Sequence, residues 1–195
     1  DWYVPEVAGH EAAGPLRAVF FGLFTPLQGA PVIGAALRDL AGEEVEVTMV
    51  GRGQDLAETR RLAAPNPRVR WLDWVPADEL PALVAGHDVC LGIFGSAPKA
   101  TRVVPNKVFQ GAAAGCALVT SDTPPQRRVL GDAAVLVPPG DSGALAAALR
   151  ALAADRSRLA VARASAHKLA LDAFTPSRVV APLHDRLHSI VAPEV

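Results

Sequence analysis

The sequence predicts an α/β fold, a parallel sheet of about six strands with helices on both faces. Three observations carry this expectation. Short runs rich in Val, Leu, Ile and Phe recur along the chain, among them RAVFF, VEVTMV, VCLGIF and ALVT. Most are apolar along their length rather than alternating, so both faces of the sheet should be covered. A helical segment separates each run from the next, and crossovers of that kind join parallel strands.

The elements follow in order. Asp1 to Pro15, with Pro5, Gly9, Gly14 and Pro15, reads as an irregular lead-in. Strands are expected at 17–22, 45–50, 69–72, 88–94, 117–120 and 134–137. Helices are expected at 29–41, with Pro31 tolerated in the first turn, and at 55–64, 78–86, 107–114 and 124–130. Pro138-Pro139-Gly140 breaks the chain, and Asp141 can cap a helix over 143–154. A second helix should reach about Phe174. Pro176 interrupts it, and a last helix covers 177–191. The composition is Ala-rich, but no internal repeat and no long disordered tract is expected.

The 195 residues suffice for one domain with a sizeable core. The segmentation is thus a lead-in over 1–15 and a single domain over 16–195, whose stretch 175–193 is a C-terminal helix. Half the residues are apolar but only 5% are aromatic, so Ala, Val and Leu must fill the interior. A net charge of −1 gives no global reason to expect nucleic acid or an acidic membrane as partner. Cys90 and Cys116 suit buried small-hydrophobe roles and give no disulfide framework, as in a reducing compartment. No apolar run is long enough for a membrane span, and no signal peptide is apparent. The chain begins with Asp1, so a fragment or an excised domain is expected.

In such sheets ligands sit outside the carboxyl ends of the strands. The loops 22–29, 51–54, 73–77, 95–106 and 121–125 should therefore converge on one edge. The stretch FGSAPKATRVVPNKVFQGAAAG, residues 94–115, organises that edge. It carries Lys99, Arg102 and Lys107 into a helix opening at Asn106, a favoured cap type, just after Pro105. Cations delivered to a helix N-terminus suit an anion, since unpaired amides and the helix dipole face it too. The plain alternative is a solvated basic loop. Gly22 and Gly29 bracket a loop whose backbone could approach a phosphate, or simply turn the chain. Gly51-x-Gly53 is half of a dinucleotide fingerprint; Leu56 stands where its third small residue belongs, so a tight turn is the better reading. Trp71 and Trp74 flank Asp73, where an aromatic could pack on a base or in the core. His184 and His188 lie four apart but lack a third ligand at matching spacing, and no metal site is assigned. His10, His87 and His167 are isolated. No Gly-x-Ser-x-Gly elbow is present.

These stretches resemble a family. FFGLFTPLQG, VTMVGRGQ, VRWLDWVPADELPALVAGHDVCLGIFG, PNKVFQGAAAGCALVTSD and AAVLVPPGDSGALAAAL are similar, in order and spacing, to the C-terminal, donor-binding half of a GT-B glycosyltransferase of the retaining family 4 kind. The resemblance spans residue 19 to about 187. It implies a Rossmann-like domain that binds a nucleotide diphosphate sugar, commonly with a UDP or GDP moiety. The sugar, of hexosyl type, would pass with retention to an acceptor held by an N-terminal domain of the same protein. No cofactor or bound metal is implied, and the fragment alone would be inactive. The final helix would run back towards the N-terminal domain. The location implied is cytoplasmic, with peripheral membrane association through the other half.

By the resemblance, Lys99, Arg102 and Lys107 stabilise the leaving diphosphate, helped by the amides of Asn106 and Lys107. Trp74 and Val75 read the base, and Gln110 holds the ribose. Gly22, Gln28, Gly29, Gly51, Gly53, Pro105, Asp122 and Thr123 complete the donor site. The sequence departs from the family pattern at four places. Leu23 and Gln28 stand near the expected cations of the first loop, and Arg102 and Gln110 occupy the positions of two glutamates. Two other readings stay open: a degenerate, non-catalytic binding or assembly module of the same fold, and a sugar-nucleotide epimerase, whose acid and base residues cannot be placed.

Overall fold

The computed structural model describes residues 2–4 and 14–191. Six strands, β1 (Leu16–Phe21), β2 (Val45–Val50), β3 (Val69–Leu72), β4 (Val89–Leu91), β5 (Ala117–Ser121) and β6 (Ala134–Val137), form one sheet in the order β3-β2-β1-β4-β5-β6. All five pairings are parallel. The helices are α1 (Ala30–Asp39), α2 (Leu56–Ala63), α3 (Leu80–Ala85), α4 (Asn106–Ala113), α5 (Pro124–Leu130), α6 (Ser142–Ala154), α7 (Arg156–Leu169) and α8 (Pro176–Val191). The strand order reverses between β1 and β4, which makes that junction the switch point where such sheets open a crevice.

The two faces divide the apolar residues of each strand. Leu16, Ala18 and Phe20 of β1 join Val45, Val47 and Met49 of β2 in one cluster, covered by α1 and α6. Val19 and Phe21 join Cys90 and Leu118 in the other, covered by α4 and α7. A period of two with both sets apolar is what a doubly covered sheet requires. Phe21 is level with Val50, and Val50 with Leu72. The loops after β1, β2 and β3 therefore leave the sheet at one height.

Caps set several boundaries. Asp141 Oδ1 accepts from the Ala144 amide at 2.8 Å, as expected at the start of α6. Asp155 Oδ1 does the same for Arg158 at 2.9 Å and opens α7. Each such cap stabilises its helix by about 1 kcal/mol. Three expectations shift. β4 stops at Leu91, and the apolar run to Phe94 continues outside the ladder. There Gly92 packs so tightly on Thr120 that a Cβ would lie 2.1 Å from its Oγ1. Pro105, extended at ψ 144°, is the cap of α4, and Asn106 is its first helical residue. The expected helix to Phe174 ends at Leu169 and widens into a π turn over Ala170–Phe174. Pro176 forces Thr175 into an extended conformation there.

Most of the 1–15 lead-in, including His10, lies outside the described residues, as do positions 192–195. Of the rest, Trp2 stacks on Phe21 at 5.9 Å and the Val4 amide donates to Ala113 O at 3.1 Å. On α8, Val179, Leu183, Leu187 and Ile190 are each more than half exposed. Among the described residues no helix is long and apolar enough to cross a membrane.

Candidate functional site

The site is built on the strand ends of β1, β2 and β3. Gly22 follows β1 at φ 136° and Gly51 follows β2 at φ 131°. A Cβ at Gly51 would lie 1.9 Å from Gly22 O, and one at Gly53 would lie 2.3 Å from Phe24 O. The Gly51-x-Gly53 pair is thus explained by the close approach of two loops, also joined by Phe24 N donating to Arg52 O at 2.9 Å. Gly29, at φ 65°, precedes α1 against the chain after β4, where a Cβ would meet Gly95 N at 2.3 Å.

Above this floor opens a cleft of about 730 Å³, lined by Phe21, Gly22, Leu23, Val50, Gly51, Arg52, Asp73, Trp74, Val75, Ala77 and Leu80. Its walls are mainly apolar. Trp74 is 75% exposed and Leu23 is 67% exposed, and together they present apolar surface to the cleft. Trp71 instead packs inward, on Phe24 and under Arg60. Asp73 faces the cleft with its carboxylate held by Arg60 at 3.3 Å and Arg52 at 3.6 Å.

Lys107 lies beneath the Gly22 turn. It sits in the first turn of α4, yet only 6% of it is exposed. Its Nζ donates to Gln28 Oε1 at 2.7 Å and rests 3.7 Å from the centre of the Phe20 ring. A Cβ on Gly22 would lie 3.2 Å from that nitrogen, so only the bare glycine separates it from the cleft side. Burial pushes the Lys107 ammonium down to about 7, opposed weakly by Cys90. The Cys90 thiol, itself buried, is pushed up to about 12 and stays protonated at neutral pH.

The other two cations stand elsewhere. Lys99 caps, and Arg102 closes, a 3₁₀ turn over Ala100–Arg102 in the β4–α4 loop. Both are exposed, and their side chains make no hydrogen bond or ion pair among the described residues. Of the three cations, Lys107 alone is thus brought to the first glycine turn by a side-chain contact in the structure. Pro105 and Asn106 present the start of α4, whose first amides have no helical acceptor. Gln110 is half-buried one turn further on.

Asp122 and Thr123 border a separate recess of about 390 Å³ with Pro124, Arg127 and Arg128. Asp122 is held by a two-pronged contact from Arg127, with Nε at 2.9 Å. Thr123 is buried, and its hydroxyl has no partner among the described residues. The loop is anchored beneath by Thr120 Oγ1 donating to Gln126 Oε1 at 2.6 Å, Gln126 Nε2 donating to Ser121 Oγ at 3.1 Å, and Ser121 Oγ donating to Ile93 O at 2.7 Å.

A further cavity, about 460 Å³ and lined in part by Arg17, Glu46, Arg68, Arg70 and His87, lies at the amino ends of the strands, away from these loops. His184 and His188 meet through their Nε2 atoms at 3.2 Å on the exposed face of α8. No group of three metal-ligating side chains occurs among the described residues. Sequence reasoning missed Leu23, Arg52 and Leu80 as cleft residues, although their places just after β1 and β2 and at the start of α3 were the available signal.

A family profile described as glycosyl transferases group 1 matches residues 15–155. No curated protein matches the chain. Among solved structures, Anabaena Alr3699/HepE in complex with UDP superposes with a TM-score of 0.77 at 19% identity, over 90% of this chain and 49% of that one. Sucrose-phosphate synthase from Thermosynechococcus elongatus gives 0.74 at 17% identity, over 92% and 46%. The C-terminal domain of a glycosyl transferase group 1 family protein, LpcC from Francisella tularensis, gives 0.70 at 16% identity, over 84% and 88%. At these identities the likeness is one of fold. The chain spans about half the length of the HepE and synthase chains.

Proposed function

The chain belongs to the glycosyl transferases group 1 family, and from that premise we propose that it is the donor-binding half of a glycosyltransferase. The donor is a nucleoside diphosphate sugar, the sugar is transferred with retention, and the acceptor is held by a second domain. One observation carries this reading. A mainly apolar cleft, wide enough for a base, adjoins a bare glycine turn with a buried lysine beneath it. The same fold holds UDP in HepE, which was also solved with UDP-glucose.

In this reading the base lies against Trp74 and the backbone of Val75, and Gln110 takes the ribose hydroxyls, which its amide can both donate to and accept from. The diphosphate meets the Gly22 turn, Lys107 and the first amides of α4. Lys99 and Arg102 meet it from the β4–α4 loop as charge grows on the leaving group. Gly29 and the Asp122–Thr123 loop border the sugar. This chemistry asks for no bound metal. The apolar stripe of α8 supports a role in docking the acceptor domain. The free, buried thiols of Cys90 and Cys116 fit a reducing, cytoplasmic setting.

Titration calorimetry with UDP, GDP and ADP tests the proposal. Heat with one of them, lost in Lys107→Ala, supports it; no heat with any of them overturns it. A second reading, a non-catalytic module, is favoured by Leu23, Gln28, Arg102 and Gln110 standing where the family pattern has charged groups of other kinds. Transfer by the full-length protein, abolished in Arg102→Ala, supports the enzyme, whereas an inactive wild type supports the module.

A further inference from the structure

Lys107 is buried without a counter-charge. Its Nζ is bonded to the neutral amide of Gln28, and the rings of Phe20 and Phe21 lie 3.7 Å and 5.9 Å from it. Among the described residues the one other titratable group acting on it is the Cys90 thiol of β4. No carboxylate pairs with it among the described residues. An ammonium in such a setting is costly unless an anion is brought to it. Gly22 offers an approach: a Cβ there would lie 3.2 Å from the nitrogen, and the absent side chain leaves it within reach of the cleft.

We propose that above neutral pH Lys107 is the neutral amine in the empty domain and takes up a proton from solvent as a nucleoside diphosphate reaches the Gly22 turn, so that donor binding there consumes a proton. The bound phosphate supplies the counter-charge that the protein withholds. Gln28 positions the amine: its carbonyl oxygen accepts one N–H in either protonation state and keeps Nζ beneath the turn. The lowered affinity of Lys107 for protons, to about 7, agrees with this geometry. The inference rests on the donor-binding reading above.

The test is UDP titration calorimetry of the whole chain at pH 8, run in HEPES and in Tris, whose ionisation enthalpies differ. At that pH the terminal phosphate of UDP, with a second pKa of about 6, is already ionised and takes up no proton. The expected result is uptake of close to one proton, about 0.9, per UDP bound, and an affinity falling roughly tenfold per pH unit above neutrality. Lys107→Arg, always charged, should bind with no uptake. Gln28→Glu should also abolish uptake, because a permanent carboxylate keeps Lys107 protonated before UDP arrives. It serves equally if substitution of Lys107 prevents folding. Wild-type binding without proton uptake, or uptake that survives in Lys107→Arg, overturns this proposal alone. An absence of binding by UDP, GDP and ADP overturns the donor reading and this inference with it.

Discussion

The carbonyl oxygen of Gly22 lies so close to Gly51 that a Cβ added there would be 1.9 Å away. The loops after β1 and β2 therefore form one floor, packed backbone against backbone. Gly51 also holds φ at 131°, a region that side chains rarely adopt.

Gly51→Ala should accordingly combine backbone strain with a clash against backbone, together about 3 kcal/mol. For a chain of this size that lowers the melting temperature by roughly 10 °C. Gly42→Ala is the control. Its φ is 89°, but nothing lies within 4 Å of the added carbon, so only the strain term remains. Thermal unfolding of the two variants should separate the terms, and equal losses would show that the Gly22 contact carries no energy.

Trp74 contributes little to the fold, being 75% exposed. Trp74→Ala should leave the melting temperature within about 2 °C, because surface substitutions cost little. It should weaken nucleotide binding about tenfold, the low end of what stacking a base on an aromatic ring gives. Calorimetry and unfolding on the same sample check both halves. A loss of stability without a loss of affinity would return Trp74 to a purely structural role.

Gln126 is fully buried and ties Thr120, Ser121 and, through Ser121, the carbonyl of Ile93 together. Gln126→Leu keeps the volume but leaves the Thr120 hydroxyl only the long 3.5 Å contact to Ile93 O, at a cost of about 2 kcal/mol. Denaturant unfolding should show the loss as a lower midpoint with an unchanged slope.

Much of this frame is legible from local pattern. β2, β3 and β6 fall at the expected bounds because apolar runs end there against turn residues such as Gly51, Asp73 and Pro138, and α5 does because Pro124 opens it and Gly131 ends it. The sheet order is not legible, since it depends on which strands meet through space. The fate of Lys107 was partly written in its spacing. It shares the buried stripe of α4 with Val108, Gly111 and Ala112, an odd place for a cation. The expectation that it acts with Lys99 and Arg102 came from proximity in sequence. The structure puts the exposed side chains of Lys99 and Arg102 at the two ends of a 3₁₀ turn and Lys107 under Gly22. Nothing in the spacing tells that Gln28, 79 positions away, is its partner.

Arg102 offers a separation of binding from chemistry. It is exposed and makes no side-chain bond among the described residues, so Arg102→Ala should not alter stability. If it meets the departing diphosphate, the full-length enzyme should lose about a hundredfold in kcat, near 3 kcal/mol of barrier, with a smaller change in KM. A change confined to KM would mean that Arg102 holds the donor without easing its departure.

Lys107 also leaves a signature on the stability of the empty domain. Its folded value, about 7, lies below the ordinary lysine value of 10.5. Between those limits the unfolded chain binds the extra proton, so stability rises with pH across this window, by up to about 1.4 kcal/mol per pH unit. Below about 7 both states are protonated and the slope vanishes. Cys90 works the other way above pH 9, because its thiol ionises more readily once unfolded. The Lys107 term is therefore cleanest between pH 7 and 8.5. Denaturant unfolding across that interval should show the wild type gaining stability relative to Lys107→Met. Parallel pH profiles for the two proteins would mean that Lys107 stays charged in the empty fold and that Gln28 alone suffices to hold it.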